Sequence, residues 1–331
     1  MQRLLVTGGL GFIGSAFVRL LLESDREFSL TNLDKLSYAG NPLNLADSED
    51  DPRYELVVGD IADQEHVDWL FSEGRFDSVV NFAAESHVDN SILSSAPFID
   101  TNVRGTQVLL DAARKHGIER FLQVSTDEVY GSLGPTGRFT EDTPLQPNNP
   151  YSASKASADL LCRAYFVTHQ LPVLVTRCSN NYGPRQFPEK LIPLITAKAL
   201  RDERLPVYGD GLQVRDWLYV DDHCRAILAV LDKGTPGEVY NIGGGRELPN
   251  LELVKLILDK LNKPHELIEH VTDRPGHDRR YAISYDKLKA ELGWQPRISF
   301  EEGIAQTIDW YLGNPAWLAA IAEGTYQEGY K

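Results

Sequence analysis

Short apolar runs alternate with helical periodicities through the first half of the chain. "RLLVTG", "FSLTNLD", "YELVVGD", "DSVVNFA" and "RFLQVST" each end in small or acidic residues, and each reads as a strand. Runs this continuous belong to strands covered on both faces, so the pattern predicts a doubly wound parallel α/β sheet. Between the last two runs, Ile99, Val103, Thr106, Leu110 and Ala113 recur at three- and four-residue steps, which predicts a helix face beginning near Pro97. A further helix is expected over about 151–170 and a sixth strand at "LPVLVTRCS". Beyond about residue 180 the strict alternation fades and Pro and Gly become more frequent. The expected organisation is a dinucleotide-binding Rossmann unit over 1–180 and a smaller substrate-binding unit over 181–331. The stretch 216–245 is expected to return in part to the first.

The first strand runs into Gly9-x-Gly11-x-x-Gly14, with Gly8 beside it, and an apolar helix follows. Glycines there allow a tight turn, a close approach of backbone N–H groups to a pyrophosphate, and close packing of helix on strand. The alternative is a glycine turn required by packing alone. Asp34 ends the second strand 20 positions after Gly14. A carboxylate there accepts ribose hydroxyls and repels a 2′-phosphate, so NAD is expected rather than NADP. Asp60 at the third strand end, and Ala83 and Ala84 after the fourth, converge on the same crevice.

The chemistry is expected after the fifth strand. "VSTDEVYG" places Ser125, Thr126, Asp127 and Glu128 at its end, and "YSASK" puts Tyr151 and Lys155 one helical turn apart on one face. A nearby ammonium and a positive nicotinamide ring favour a phenolate, so the Tyr151 pKa is expected to fall. Adjacent carboxylates at a strand end are ordinarily solvated, and regular alternation would point them to opposite faces. Both can serve one site only if the backbone is irregular there.

The 331 residues carry a formal net charge of −15, which disfavours nucleic-acid or anionic-membrane partners. Against that background "DRPGHDRRY", 273–281, is a basic run, either a solvated face or an anion pocket. No apolar stretch reaches membrane-spanning length and no signal segment is read at Met1, so a cytoplasmic location is expected. Cys162, Cys178 and Cys224 have no CxxC spacing, and neither a disulfide nor a metal site is expected; they read as packing residues.

"TGGLGFIGS", "DKLSYAGN", "AAESHVDNS", "VSTDEVYG", "PYSASKASAD", "CSNNYGPRQFPEKLIP", "VRDWLYVDDH", "YNIGGG" and "DRPGHDRRYAI" together resemble the extended short-chain dehydrogenase/reductase family, and within it the nucleotide-sugar 4,6-dehydratases. The likeness spans nearly the whole chain. It implies oxidation of glucose at C4, loss of water across C5 and C6, and return of the hydride to C6, with NAD regenerated. By the same resemblance Thr126 holds the 4-hydroxyl, Tyr151 with Lys155 oxidises C4, Glu128 takes the C5 proton, and a protonated Asp127 releases the C6 hydroxyl. The implied cofactor set adds Phe12, Ile13, Lys35, Ser37, Gly40, Ile61, Phe82, Ser86, Thr101, Ser125 and Asn181. The implied substrate set is Ser86, Asn180, Lys190, Leu191, Pro206, Tyr208, Arg215, Asn250, Arg274 and His277, with arginine forks suited to a diphosphate. His87 is read as structural or supporting. "GHDRRY" and "CSNNYG" favour dTDP-glucose as substrate, whereas Asn90 and Arg185-Gln186 resemble the UDP-glucose enzymes. A 4-epimerase and a non-catalytic NAD-binding regulator are the rival readings. A homodimer through the helices near 97–115 and 151–169 is also implied.

Overall fold

The computed structural model describes residues 2–330. Its centre is a sheet of seven parallel strands in the order β10-β6-β5-β4-β1-β2-β3. β1 (Gln2–Thr7), β2 (Phe28–Asp34), β3 (Tyr54–Val58), β4 (Ser78–Asn81) and β5 (Arg120–Thr126) are the five apolar runs, and β6 (Val173–Cys178) is the sixth. Every residue of β4 and β6 is buried, as continuous apolar runs require. β3, at the sheet edge, has no fully buried residue.

Helices cover both faces. α1 (Phe12–Leu22) lies on one face, where Phe17, Val18 and Leu21 pack into the core. α2 (Gln64–Gly74), α5 (Thr106–His116) and α6 (Pro150–His169) cover the other. α6 starts sharply because Asn149 and Ser152 form a reciprocal capping box and Pro150 occupies the first helical turn. That start fixes the height of Tyr151 above the sheet.

Two short helices, α3 (Val88–Leu93) and α4 (Ala96–Phe98), precede α5, and a π-helical turn over Ile99–Gly105 joins α4 to α5. The predicted helix does begin beside Pro97, but its apolar face is not continuous. Thr106, Leu110 and Ala113 are buried, whereas Ile99 is 51% exposed. An i→i+5 turn contains extra residues, so the face read at a period of 3.6 slips across it.

The chain leaves the sheet after β6 through β7 (Asn180–Tyr182), α7 (Leu191–Leu200), β8 (Leu205–Tyr208) and β9 (Val214–Tyr219). α8 (Val220–Lys233) then packs beside α1, and β10 (Val239–Ile242) pairs with β6. Of the stretch 216–245, α8 and β10 therefore rejoin the large sheet. β9 does not: it is the centre of a small sheet between β7 and β11 (Glu247–Pro249). A third core forms around Ile192, Ile195, Leu253, Ile257 and Ile304 from α7, α9 (Asn250–Lys260) and α11 (Phe300–Gly313). β12 (Ile268–Val271) pairs with β8, while α10 (Asp286–Leu292) and α12 (Pro315–Glu323) complete the fold. Among the described residues no helix is long and apolar enough to cross a membrane.

Candidate active site

The carboxyl ends of β1 to β6 meet at one cleft. Gly8, Gly11, Phe12, Ile13 and Gly14 form its floor. Gly8 adopts φ +70°, and a Cβ there would sit 2.7 Å from the Ala83 backbone. A Cβ on Gly14 would collide with the Gly8 carbonyl oxygen. The N-cap of α1 is Gly11, which offers no side chain to the first-turn N–H groups, so they are open to an anion.

Asp34 is buried at the end of β2. Its Oδ2 accepts the Leu10 N–H at 3.0 Å and its Oδ1 the Leu36 N–H at 2.9 Å. Burial pushes its pKa up, while those two donors and Lys35 pull it down. Each carboxylate oxygen keeps a lone pair, so a ribose diol can still be accepted. Lys35 bonds Thr101 Oγ1 at 2.8 Å and Glu85 at 3.0 Å. Ser37, Gly40, Ile61, Phe82, Ala83, Ala84, Ser86 and Thr101 line the same cleft. Asp60 does not: it faces a neighbouring acidic depression with Asp63, Glu65 and Asp68, while Gly59 takes the place on the cleft wall.

At the far end of the cleft stand Ser125, Thr126, Glu128, Tyr151, Lys155, Asn180, Asn181 and Lys190. After β5 the backbone turns at once into a 3-10 helix over Asp127–Tyr130, N-capped by Thr126, whose Oγ1 accepts the Glu128 N–H at 3.3 Å. Successive side chains there are about 120° apart rather than 180°. This is the irregularity that adjacent carboxylates need to share a site. Glu128 lies on the cleft wall, and Asp127 sits behind it, 2% exposed. Oδ2 of Asp127 and Oε2 of Glu128 are buried with no hydrogen-bond partner in the protein.

Burial pushes Asp127 well above the usual carboxylate range, reinforced by Glu128 and Asp216, and Arg215 opposes it. Glu128 is also raised by burial, but Arg274, Arg215 and Lys190 pull it back. The two carboxyl groups thus sit in different electrostatic settings. Tyr151 departs from expectation: burial, Glu128 and Cys178 push its hydroxyl well above the ordinary value, and Thr126 only partly offsets them. The reason is the burial of the phenol, which the Lys155 ammonium does not offset. Its Nζ donates to the Val124 carbonyl at 2.7 Å, and burial lowers its own pKa. A cationic nicotinamide ring would act on Tyr151 in the opposite sense.

A second wall comes from the smaller part of the chain. Arg215 stacks over Tyr281 at 4.4 Å and donates to the carbonyls of Val214 and Asp278. Arg274 and Tyr208 share Asp89, at 3.2 Å and 3.1 Å, and His277 bonds Asp273 at 2.6 Å. The Arg274 Nε and Asn250 Oδ1 are buried without partners. Both arginines act on Glu128, which ties this wall to the cleft. Only part of the basic run does so. Arg279 pairs with Asp210 at the surface, and Arg280 holds Glu247 and the carbonyls of Gly134 and Gly137. Pro206 is half-buried on β8, and Leu191 packs against the third core rather than lining the cleft. His87 caps α3, its Nδ1 accepting the Asn90 N–H, and its Nε2 stands 3.7 Å from Glu189.

The sequence reading missed Cys178, Ser179, Gln186, Phe187 and Glu189, which also line the cleft. Cys178 packs in the core and meets the cleft with the same side chain, so treating it only as packing was incomplete. Glu189 accepts from Tyr38 at 3.1 Å and stands 3.7 Å from Lys190. An acidic residue directly before Lys190 in "FPEKLIP" was the available signal.

A glycine floor below a helix N-terminus, a strand-end carboxylate, a buried Tyr/Lys pair and an arginine-lined second wall define a Rossmann enzyme that joins a dinucleotide to an anionic substrate. The GDP-mannose 4,6 dehydratase family model matches residues 5–307. The dTDP-glucose 4,6-dehydratase of Xanthomonas campestris pv. campestris (strain B100) is 55% identical over 345 residues, covering 99% of this chain and 98% of that one. Two solved structures of similar proteins cover nearly the whole fold. The dTDP-glucose 4,6-dehydratase of Bacillus anthracis in complex with NAD has a TM-score of 0.91 at 52% identity, covering 97% of this chain and 100% of that one. That of Streptomyces venezuelae, with NAD bound, has a TM-score of 0.93 at 50% identity, covering 96% and 98%. The chain belongs to this dehydratase family, within the extended short-chain dehydrogenases/reductases.

Proposed function

We propose that the protein is an NAD-dependent hydro-lyase that converts dTDP-glucose to dTDP-4-keto-6-deoxyglucose. The observation that carries the reading is the 3-10 turn after β5, which sets Glu128 on the cleft wall and a more strongly proton-holding Asp127 behind it, both within the field of Tyr151. Oxidation of an alcohol needs only Thr126, Tyr151 and Lys155. Two further carboxyl groups are what an elimination adds. NAD, when bound, supplies the hydride acceptor for C4 and the hydride source for C6.

Thr126 positions the 4-hydroxyl and Tyr151 removes its proton, with Lys155 holding the Val124 carbonyl so that helix and strand keep their spacing. The resulting 4-ketone acidifies the C5 hydrogen, which Glu128 takes; its carboxylate is stabilised by Arg215, Arg274 and Lys190. Asp127 delivers its proton to the departing C6 hydroxyl as water. Glu128 then returns its proton to C5, and no net redox change remains. Residues 1–180, with α8 and β10, hold NAD, and residues from 181 onward supply most of the sugar-nucleotide wall. Arg215 and Arg274 are assigned to the diphosphate.

The three cysteines are free and buried, in keeping with a cytoplasmic site of action. Homodimerisation is proposed through the helices near 97–115 and 151–169, where Ile99, Leu160 and Val167 face outward, next to Leu93, which is 86% exposed. Incubation of purified protein with dTDP-glucose and with UDP-glucose, products being identified by mass and NMR, tests the reaction. dTDP-glucose is expected to give the 4-keto-6-deoxy product with C4 deuterium carried to C6. Conversion of UDP-glucose alone, or inversion at C4 without loss of water, would refute the reading.

A further inference from the structure

The loop after β2 is shaped by a side chain nearly three hundred residues further along. Gln327 is buried, and its Nε2 donates to the carbonyls of Leu36 at 3.2 Å, Ser37 at 2.6 Å and Gly40 at 2.8 Å. The hydrogen bonds of the described residues give the Leu36 and Gly40 carbonyls no other donor. Those residues in turn shape Asp34. Leu36, in the left-handed region at φ 54°, donates its N–H to Asp34 Oδ1, and Gly40 passes so close that a Cβ on it would lie 2.7 Å from the same oxygen. Neighbouring residues hold the same loop. Tyr326 donates to the Tyr38 carbonyl at 2.7 Å, and the Trp317 indole donates to Asn44 Oδ1 at 3.0 Å. Asn44 reaches the Leu10 carbonyl, and the Leu10 N–H reaches Asp34 Oδ2.

We propose that Gln327 is a positioning residue for cofactor retention: its amide fixes the 36–40 loop, and through it the carboxylate of Asp34, in the shape that receives the adenosine ribose. This rests on the reading of the cleft as an NAD site. A glutamine suits the place because it offers two N–H donors without charge, and three converging carbonyls would repel any acceptor. Leucine has a similar size and no donor. A buried carbonyl without a donor relaxes toward water, and the loop then leaves the geometry that NAD binding requires.

The test compares wild type, Gln327→Leu and the exposed control Glu328→Ala, all stripped of nucleotide. Calorimetry with NAD is expected to give about a tenfold or greater rise in Kd for Gln327→Leu and none for the control. Hydrogen exchange over residues 36–41 of the stripped protein is expected to accelerate in Gln327→Leu alone. Affinity for dTDP, which binds the other wall, is expected to stay within about twofold. Gln327→Glu provides a second readout, since its NAD affinity is expected to recover as pH falls and the carboxyl gains a donor. An unchanged NAD Kd in Gln327→Leu, or equal losses of NAD and dTDP affinity, would overturn the proposal. Wild-type protein that bound dTDP but no NAD would refute the cofactor reading itself.

Discussion

Asp216, on β9, is 1% exposed; its Oδ1 accepts the Arg246 N–H at 2.9 Å, and Oδ2 is buried without a partner. Burial raises its pKa from an ordinary 3.8 to about 7. Well below pH 3.8 the group is protonated in folded and unfolded chains alike. As pH rises the unfolded chain releases the proton first, so stability falls through the window between those values and the loss is complete above about pH 7. Each pH unit in that window is worth ~1.4 kcal/mol, which makes the cost about 1.5 kcal/mol at pH 5 and about 4 kcal/mol at pH 8. Asp216→Asn keeps the acceptor for Arg246 and removes the titration. Its stability advantage in urea denaturation should widen by roughly 2.5 kcal/mol between pH 5 and pH 8. The same charge helps Asp127 to keep its proton. The basic limb of the kcat profile should therefore move to lower pH in the variant. A stability gap equal at both pH values, together with an unmoved basic limb, would refute the burial argument and the coupling to Asp127.

Glu128→Gln should cut turnover at least ~100-fold and abolish solvent exchange at C5, yet leave C4 oxidation intact. Because Glu128 raises the Tyr151 pKa, that surviving oxidation should run at lower pH than in wild type; single-turnover reduced-nicotinamide absorbance checks both points. Tyr151→Phe should instead prevent reduction of the cofactor altogether. For the dimer, Leu93→Asp combined with Leu160→Asp should convert a species of twice 37.0 kDa to the monomer in light scattering, and wild type already monomeric at micromolar concentration would contradict the interface.

Strands and crossover helices were legible because a parallel sheet covered on both faces needs continuous apolar runs, which β4 and β6 show in full and the edge strand β3 does not. The glycine turn and Asp34 were legible because covalent geometry leaves few alternatives there. Less was legible where function depends on distance through space. Nothing in periodicity shows the π turn at Ile99–Gly105, since an apolar face read at one period conceals a slip in register. Lys155 follows Tyr151 by one turn, which suggests an ammonium beside a phenol; the Val124 carbonyl that captures it belongs to another element. Arg279 and Arg280 look equivalent to Arg274 in the sequence, and only their partners Asp210 and Glu247 separate them. Glu189 lies within the motif "CSNNYGPRQFPEKLIP", but its contact is with Tyr38, a residue that only folding brings near.

The separation between the cofactor loop and its holder also sets an order of events during synthesis. Leu36 and Gln327 stand 291 residues apart in the chain. At about 5–20 residues per second, the loop leaves the ribosome some tens of seconds before the side chain that fixes it exists. β10 likewise cannot complete the sheet beside β6 until the chain has left the large unit, built β7 to β9, and come back. A nascent chain can thus assemble the glycine floor early, but its adenosine loop stays without those contacts until translation has passed residue 327.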